Sequence, residues 1–334
     1  MLKKSLSMLD DSVVLVTGGT GSFGKAFTNY LLEKAEIKKL ILFSRGELGQ
    51  SEFKTELEKT YPDKVSKVRF FIGDVRDKER LHRAFKGVDY VIHAAALKQV
   101  PACEYNPSES IKTNVTGTQN VVEVAIDEGV KKVIFLSTDK ACSPVNTYGK
   151  SKAIAESLVV AGNNYAHGYK RTVLACTRYG NVIGSRGSVI PVFKKQAESG
   201  VITITDTRMT RFWLTLEEGV EFVLTSLYMA KGGEIFIPII PSMKITDLAM
   251  AVAPLADWEE TGIRPGEKLH EIMVSEDEAR HSVKCKDRYI ILPEYHDWTG
   301  HINYGDGKIL DNGFTYSSDN NTQWLSIDTL KNLL

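Results

Sequence analysis

The chain has only four cysteines in 334 residues, Cys103, Cys142, Cys176 and Cys285, and no two stand at CxxC spacing. That excludes a disulfide framework or a zinc ribbon and predicts buried small hydrophobes in a reducing compartment. Seven scattered histidines supply no metal-ligand spacing, so no catalytic metal is expected. Charge of one sign is also missing: 42 Lys+Arg balance 42 Asp+Glu. Such a balance argues against nucleic acid or an anionic membrane as partner, and any anionic ligand must be held by local groups. No apolar run approaches the ~18 residues of a membrane span. The opening "MLKKSLSMLDD" lacks the apolar stretch of a secretion signal. A soluble, cytoplasmic protein is expected, so the sequons at 114–116 and 320–322 are not read as glycosylated. Internal repeats and low-complexity segments are absent as well.

What is present is a 43% hydrophobic content, enough for one large domain or two interlocked ones. Short, nearly continuous apolar runs recur at 12–19, 38–45, 68–75, 89–97, 131–138, 171–180 and 234–239. Helix-like stretches lie between them at 24–35, 78–85, 114–129 and 151–166. Strand–helix alternation of this kind predicts an α/β fold, a doubly wound parallel Rossmann sheet covered on both faces. The rhythm breaks after Tyr179. The expected division is a nucleotide-binding domain of residues 1–180 and 211–240, with a smaller substrate domain of 181–210 and 241–334. The cleft between them belongs at the carboxyl ends of the strands. Residues 217–229 have helical apolar spacing and read as core.

"TGGTGSFG" (17–24) joins the first strand to the first helix. Gly18, Gly21 and Gly24, with Thr20, Ser22 and Phe23 between them, suit the close approach of a dinucleotide pyrophosphate. The second strand ends in Ser44-Arg45 rather than an acidic residue. A guanidinium suits a ribose 2′-phosphate, which favours NADP, although a solvated Arg45 and the nearby Glu47 keep NAD open. Asp74 and Val75 follow the third strand, where the adenine would lie. Ala94, Ala95, Ala96 and Lys98 stand where phosphates and ribose must pass, and Asn114 and Ser137 complete the cofactor candidates. His93 reads as a core histidine.

Tyr148 and Lys152 are four residues apart and share one helix face. The lysine charge would lower the tyrosine pKa, so that the phenolate takes a hydroxyl proton as a hydride leaves. Their place after a fifth strand ending in Ser137-Thr138 resembles the extended short-chain dehydrogenase/reductase family over essentially the whole chain. "GGTGSFGK", "AAALKQVPACEYNP", "STDKA", "RYGNVIGSRGSVIP", "TDTRMTRFWLT" and "GIRPGEKLHE" are similar to its configuration-inverting UDP-N-acetylglucosamine 4,6-dehydratases. Members of that group start pseudaminic acid synthesis for flagellin glycosylation. The resemblance implies Tyr148 as base, Lys152 as its partner, and Ser137 or Thr138 as hydrogen bonder to a sugar hydroxyl. It further implies Lys140 as the base at C5 and Asp139 as the acid that expels the C6 hydroxyl. Retaining dehydratases carry Asp-Glu where this chain has Asp139-Lys140, and the lysine points to inversion. The plain alternative is a loop ion pair.

For a UDP-sugar, the diphosphate candidates are Lys98, Arg211 and Arg264, each of which a surface ion pair would equally explain. Asn181 could bridge phosphate or sugar hydroxyls. Val189, Ile190, Pro191, Val192 and Phe193 offer backbone groups and an apolar wall for uracil, and Tyr316 resembles a closing contact. Arg186 and Arg208 receive no role. A UDP-sugar 4-epimerase would share the glycine loop and Tyr148/Lys152 without needing Asp139-Lys140. Dehydratases of other aminosugar pathways, such as that to N-acetyl-L-fucosamine, remain rivals, though some lack the tyrosine. A non-enzymatic NADP-binding regulator would have no use for the four groups. The resemblance also implies a homo-oligomer, hexameric or dimer-based, without a membrane domain.

Overall fold

The computed structural model describes residues 1–166, 171–184, 189–294, 304–305 and 307–334. Six strands, β1 (Val13–Thr17), β2 (Lys39–Ser44), β3 (Val68–Ile72), β4 (Tyr90–His93), β5 (Lys132–Leu136) and β6 (Val173–Thr177), pair in parallel in the order 3-2-1-4-5-6. Ile235–Pro238 adds a further parallel strand beside β6. Val14 to Val16, Val91, Ile92, Ile134, Leu174 and Phe236 are all buried, as a sheet covered on both faces requires. The order reverses between β1 and β4, and that crevice is where such sheets bind ligands.

Among the described residues, eight α-helices precede residue 170: α1 (Leu2–Met8), α2 (Ser22–Lys34), α3 (Glu47–Thr60), α4 (Lys78–Phe85), α5 (Val100–Tyr105), α6 (Pro107–Ser110), α7 (Gly117–Asp127) and α8 (Thr147–Gly162). α4, α7 and α8 pack in series, while α2 packs on the helix Leu216–Met229, which α1 also covers. Helix α8 begins four residues earlier than its apolar pattern suggests. Asn146 caps it by accepting the Gly149 N–H at 2.7 Å, so Tyr148 and Lys152 share one helix. The sequence patterns did not mark α1 or α3. α1 buries only Ser5 and α3 only Gln50, Phe53 and Leu57, too few apolar positions to write a helical period.

The expected division needs a correction. Ser282–Lys284, Arg288–Ile291 and Lys308–Ile309 join the main sheet as antiparallel strands beyond Ile235–Pro238. An unpaired parallel edge invites such a cover, and these residues close it. A second, smaller core gathers Ile190, Phe193, Ile202, Ile204, Met209, Trp213, Met243, Leu248 and Leu330. Strand Thr210–Leu214, expected to open the larger domain's second segment, pairs with Asn181–Val182 and with Ser242–Lys244. Its side chains alternate: Phe212 and Leu214 enter the main core, Trp213 the smaller one.

α8 is tied to the C-terminal segment by a buried ion cluster. Arg178 donates to both oxygens of Glu156 on α8 (3.0 and 2.7 Å), to Glu278 (2.8 Å) and to the Met273 carbonyl (2.9 Å). Burial pushes the Glu278 carboxyl up, but Arg178 and the Ser275 cap outweigh it and hold the pKa at about 2. A carboxyl depressed from 4.5 contributes stability that is complete above its unfolded value and lost as pH falls towards 2. Glu278→Gln is therefore expected to cost roughly 3 kcal/mol at pH 7. In urea melts, its difference from wild type should shrink steadily between pH 5 and pH 2.

Candidate active site

A cleft of about 830 Å³ opens at the carboxyl ends of the strands, between the two cores. Its first wall is the glycine loop. Gly18 sits at φ +70°, and a Cβ there would lie 3.0 Å from the Ala95 nitrogen and 3.1 Å from the Ala94 carbonyl. A Cβ on Gly24 would lie 2.5 Å from the Gly19 oxygen, so α2 packs directly on the loop that precedes it. Gly21 stands at the N-cap of α2 without any side-chain cap, leaving the helix end open to an anion. Thr17 accepts the N–H groups of Ala94 and Ala95 (3.1 and 3.2 Å) and bonds His93, whose other ring nitrogen meets Thr118. Both ring nitrogens are thus occupied. Burial, helped by Lys152, lowers the His93 pKa to about 3: a neutral core imidazole.

Thr20, Ser22, Phe23, Ser44, Arg45, Asp74, Val75, Ala96, Lys98 and Ser137 also line the cleft. Ser44 is occupied, since Gln50 donates to both its hydroxyl and its carbonyl. Arg45 is exposed beside Asp74. Burial raises the Asp74 carboxyl, yet the guanidinium and N–H of Arg76 outweigh it and the net shift is downward. The Ser137 hydroxyl is buried and has no partner among the described residues. Asn114 does not line the cleft. It exchanges two hydrogen bonds with Leu97 (2.8 and 2.9 Å) and donates to Ser151 at 2.9 Å, so it braces the Ala94–Lys98 loop against α8.

Beyond β5 the chain turns sharply at Asp139–Ala141, and α8 lies directly on that turn. Lys152 donates to the Leu136 carbonyl at 2.6 Å above the Phe135 ring, and burial lowers its pKa to about 7. Tyr148 departs from expectation. Burial pushes it up to about 12, and the cation that opposes this is Lys140 rather than Lys152, together with a hydrogen bond shared with Thr138.

Lys140 projects between two carboxylates. Its Nζ is 3.0 Å from Glu271 Oε1 and 3.3 and 3.4 Å from the Asp139 oxygens. Burial disfavours its charge, but the two carboxylates overcome that and raise its pKa. Asp139, 1% exposed, is raised, first by burial; Lys140 and the Thr138 hydroxyl oppose this and Glu271 adds to it. Burial would also raise Glu271, yet Lys140 and then Arg211 hold it low. Glu271 ends the "GIRPGEKLHE" stretch, whose only assigned member in the sequence was Arg264. The Asn146 amide donates to the Gly266 carbonyl at 2.7 Å and docks this stretch on the start of α8. Lys268, also unassigned, reaches the Cys142 carbonyl at 2.6 Å and lines the cleft.

On the substrate side Asn181, Val189, Val192, Phe193 and Arg264 line the cleft. Val189–Ala197 is a helix, so its backbone groups past the first turn are taken, and Pro191 is exposed and not among the residues lining the cleft. Arg211 lines the cleft, but its guanidinium is spent on the carbonyls of Thr210, Leu269 and Lys268, which makes it a brace for the segment carrying Glu271. Tyr316 is buried outside the cleft. Its hydroxyl exchanges hydrogen bonds with the Ile240 backbone, and its ring packs on Phe212 and Tyr289. Arg208 pairs with Asp206 at 2.7 Å, and Arg186 lies outside the described residues.

A family profile described as "Polysaccharide biosynthesis protein" matches residues 14–293. The chain is 52% identical over 327 residues, 96% of each chain, to a Campylobacter jejuni protein named "UDP-N-acetylglucosamine 4,6-dehydratase (inverting)". It is 41% identical to a Rickettsia conorii protein named "UDP-glucose 4-epimerase", over 98% of this chain and 96% of that one. Among solved structures, Pen from Bacillus thuringiensis superposes with a TM-score of 0.87 at 38% identity, covering 97% of both chains.

Gly149 makes the contact between α8 and the turn possible, because a Cβ there would lie 2.1 Å from the Lys140 carbonyl oxygen. Gly149→Ala is expected to lower stability by roughly 1–3 kcal/mol. A crystal structure of the variant should show Lys140 displaced from Glu271, and denaturant melts give the energy.

Proposed function

The chain belongs to the polysaccharide biosynthesis protein family, within the extended short-chain dehydrogenases/reductases, and from that membership we propose that it is an inverting UDP-N-acetylglucosamine 4,6-dehydratase. The observation that carries this reading is the Asp139–Lys140 pair, set in the same cleft as Tyr148 and Lys152. An epimerase moves one hydride at C4 and needs no second acid and base. The alternative is kept alive by the rickettsial relative's name.

The glycine cradle, the open end of α2 and the unpartnered Ser137 suit a nicotinamide nucleotide, and Arg45 near Asp74 favours NADP. Bound there, the nicotinamide would accept the hydride from C4 of the sugar and return it to C6. Tyr148, once its phenol has shed its own proton to solvent, takes the C4 hydroxyl proton as the phenolate. The resulting C4 ketone acidifies the proton on C5, which Lys140 removes as the free amine. Asp139 gives a proton to O6, and water leaves. Hydride at C6 and a solvent-derived proton delivered to the opposite face of C5 complete a 4-keto-6-deoxy sugar of L-arabino configuration. The net change is loss of one water. The free protein holds Lys140 as an ammonium, so the lysine must shed a proton before it can act.

Asn181 and the exposed Arg264 support the nucleotide portion, with Val189, Val192 and Phe193 as the apolar wall. The product's chemistry fits the first step of pseudaminic acid synthesis. A cytosolic setting is supported by four unpaired cysteines, and no helix among the described residues is long and apolar enough to cross a membrane. Exposed Ile154 on α8 and Tyr165 in the turn after it support a homo-oligomer.

The deciding test is NMR of the purified protein with UDP-N-acetylglucosamine in D2O. A 6-deoxy-4-keto sugar, inverted and deuterated at C5, is expected; formation of the 4-epimer alone would make the protein an epimerase. Lys140→Ala should still oxidise C4 yet lose water at least a hundredfold more slowly, within the usual range for a general base. For the cofactor, Arg45→Ala should raise the KM for NADP at least tenfold while leaving that for NAD within twofold, and equal effects on both would remove the NADP preference.

A further inference from the structure

Two carboxylates surround one ammonium in this cleft, and they are not equivalent. Glu271 Oε1 lies 3.0 Å from Lys140 Nζ, whereas both Asp139 oxygens stand back at 3.3 and 3.4 Å. The charge-assisted bonds that hold ion pairs are the shorter kind. A second cation supports Glu271 alone: the Arg211 guanidinium is 3.8 Å from the same Oε1, itself fixed by three carbonyls. Glu271 is 2% exposed, and its Oε2 has no partner among the described residues. Asp139 is likewise buried, and among the described residues its carboxylate has one other bond, from the neutral Thr138 hydroxyl at 2.7 Å.

We propose that Glu271 is the counter-ion of Lys140, and that it thereby leaves Asp139 free to hold a proton as the acid of the cleft. The inference rests on Asp139 and Lys140 being the elimination pair. Two carboxylates this close in a water-poor site do not both ionise cheaply around a single ammonium, so their proton affinities are driven apart. The other groups facing them are Tyr148 from α8, with Tyr179 after β6 next to it, Arg211 from its strand and Lys268 from the loop. Arg211 and Lys268 lie on the Glu271 side and deepen the asymmetry. The opposite directions in which Asp139 and Glu271 are shifted agree with this division. Glu271 acts through its neighbours and touches no reacting atom, so it is a positioning residue.

The test reads the charge of Asp139 directly. In protein labelled with carboxyl-13C aspartate, one resonance that disappears in Asp139→Asn should stay protonated above the ordinary aspartate range. In Glu271→Gln the ammonium has only Asp139 left to pair with, and that resonance should move to the ionised position at neutral pH. Kinetically, Glu271→Gln should still oxidise C4 but lose water at least tenfold more slowly at pH 8, with the deficit narrowing as pH falls. An Asp139 titration identical in wild type and Glu271→Gln overturns the proposal. Should Glu271→Gln not fold, Lys140→Gln in glutamate-labelled protein decides: Glu271, deprived of its ammonium, must titrate upward, and an unmoved Glu271 overturns the assignment. The titrations need no substrate. A wild type that makes no 6-deoxy sugar would therefore defeat the dehydratase reading while leaving the counter-ion test intact.

Discussion

The ammonium of Lys140 stands on the wall of the cleft, about a quarter of its side chain exposed, and its charge is answered there by two almost wholly buried carboxylates. Much of the surrounding structure exists to deliver that answer. The turn at Asp139–Ala141 sets the lysine, α8 lies on the turn, and the loop docked on α8 through Asn146 carries Glu271 to within 3.0 Å. Arg211 steadies that loop from below. Four elements remote in sequence thus converge on a single nitrogen, and the cleft cannot keep its shape if any of them retreats.

Strand runs and glycine spacing were enough to place β1 to β6, α2, α4 and the cradle, because these features are local: period, turn chemistry and the absence of Cβ all act within a few residues. The candidate site was legible as far as it lay in such stretches. Glu271 was not, although its motif was in view. Nothing within ten residues of it signals a lysine 131 positions earlier. Asn114 and Tyr316 failed in the reverse sense. A polar side chain in a motif says that something needs it, but here the needy groups are the backbones of Leu97 and Ile240. The strands from Ser282 to Ile309 also escaped, because joining the edge of a distant sheet leaves no mark on their own short pattern.

The Tyr148–Lys152 pair shows how one spacing can support two physical accounts. Four residues on a helix do bring both groups to one face. Yet Lys152 is bonded to the Leu136 carbonyl, and its charge is weakened by burial, while Tyr148 feels Lys140 across the turn. The residue that resembles an accessory to elimination is thus also the nearest electrostatic partner of the group proposed for oxidation. Both halves of the chemistry draw on one lysine, which couples them more tightly than two separate pairs would.

Strand Thr210–Leu214 sends Phe212 and Leu214 into one core and Trp213 into the other. Five residues therefore serve as a shared wall, and prising the smaller lobe loose would drag two buried side chains out of the larger. A hinge could not be placed there at modest cost. The lobes are expected to melt together, as a single cooperative unit, and whatever breathing admits a ligand must come from the loops at the rim and not from a parting of the two halves.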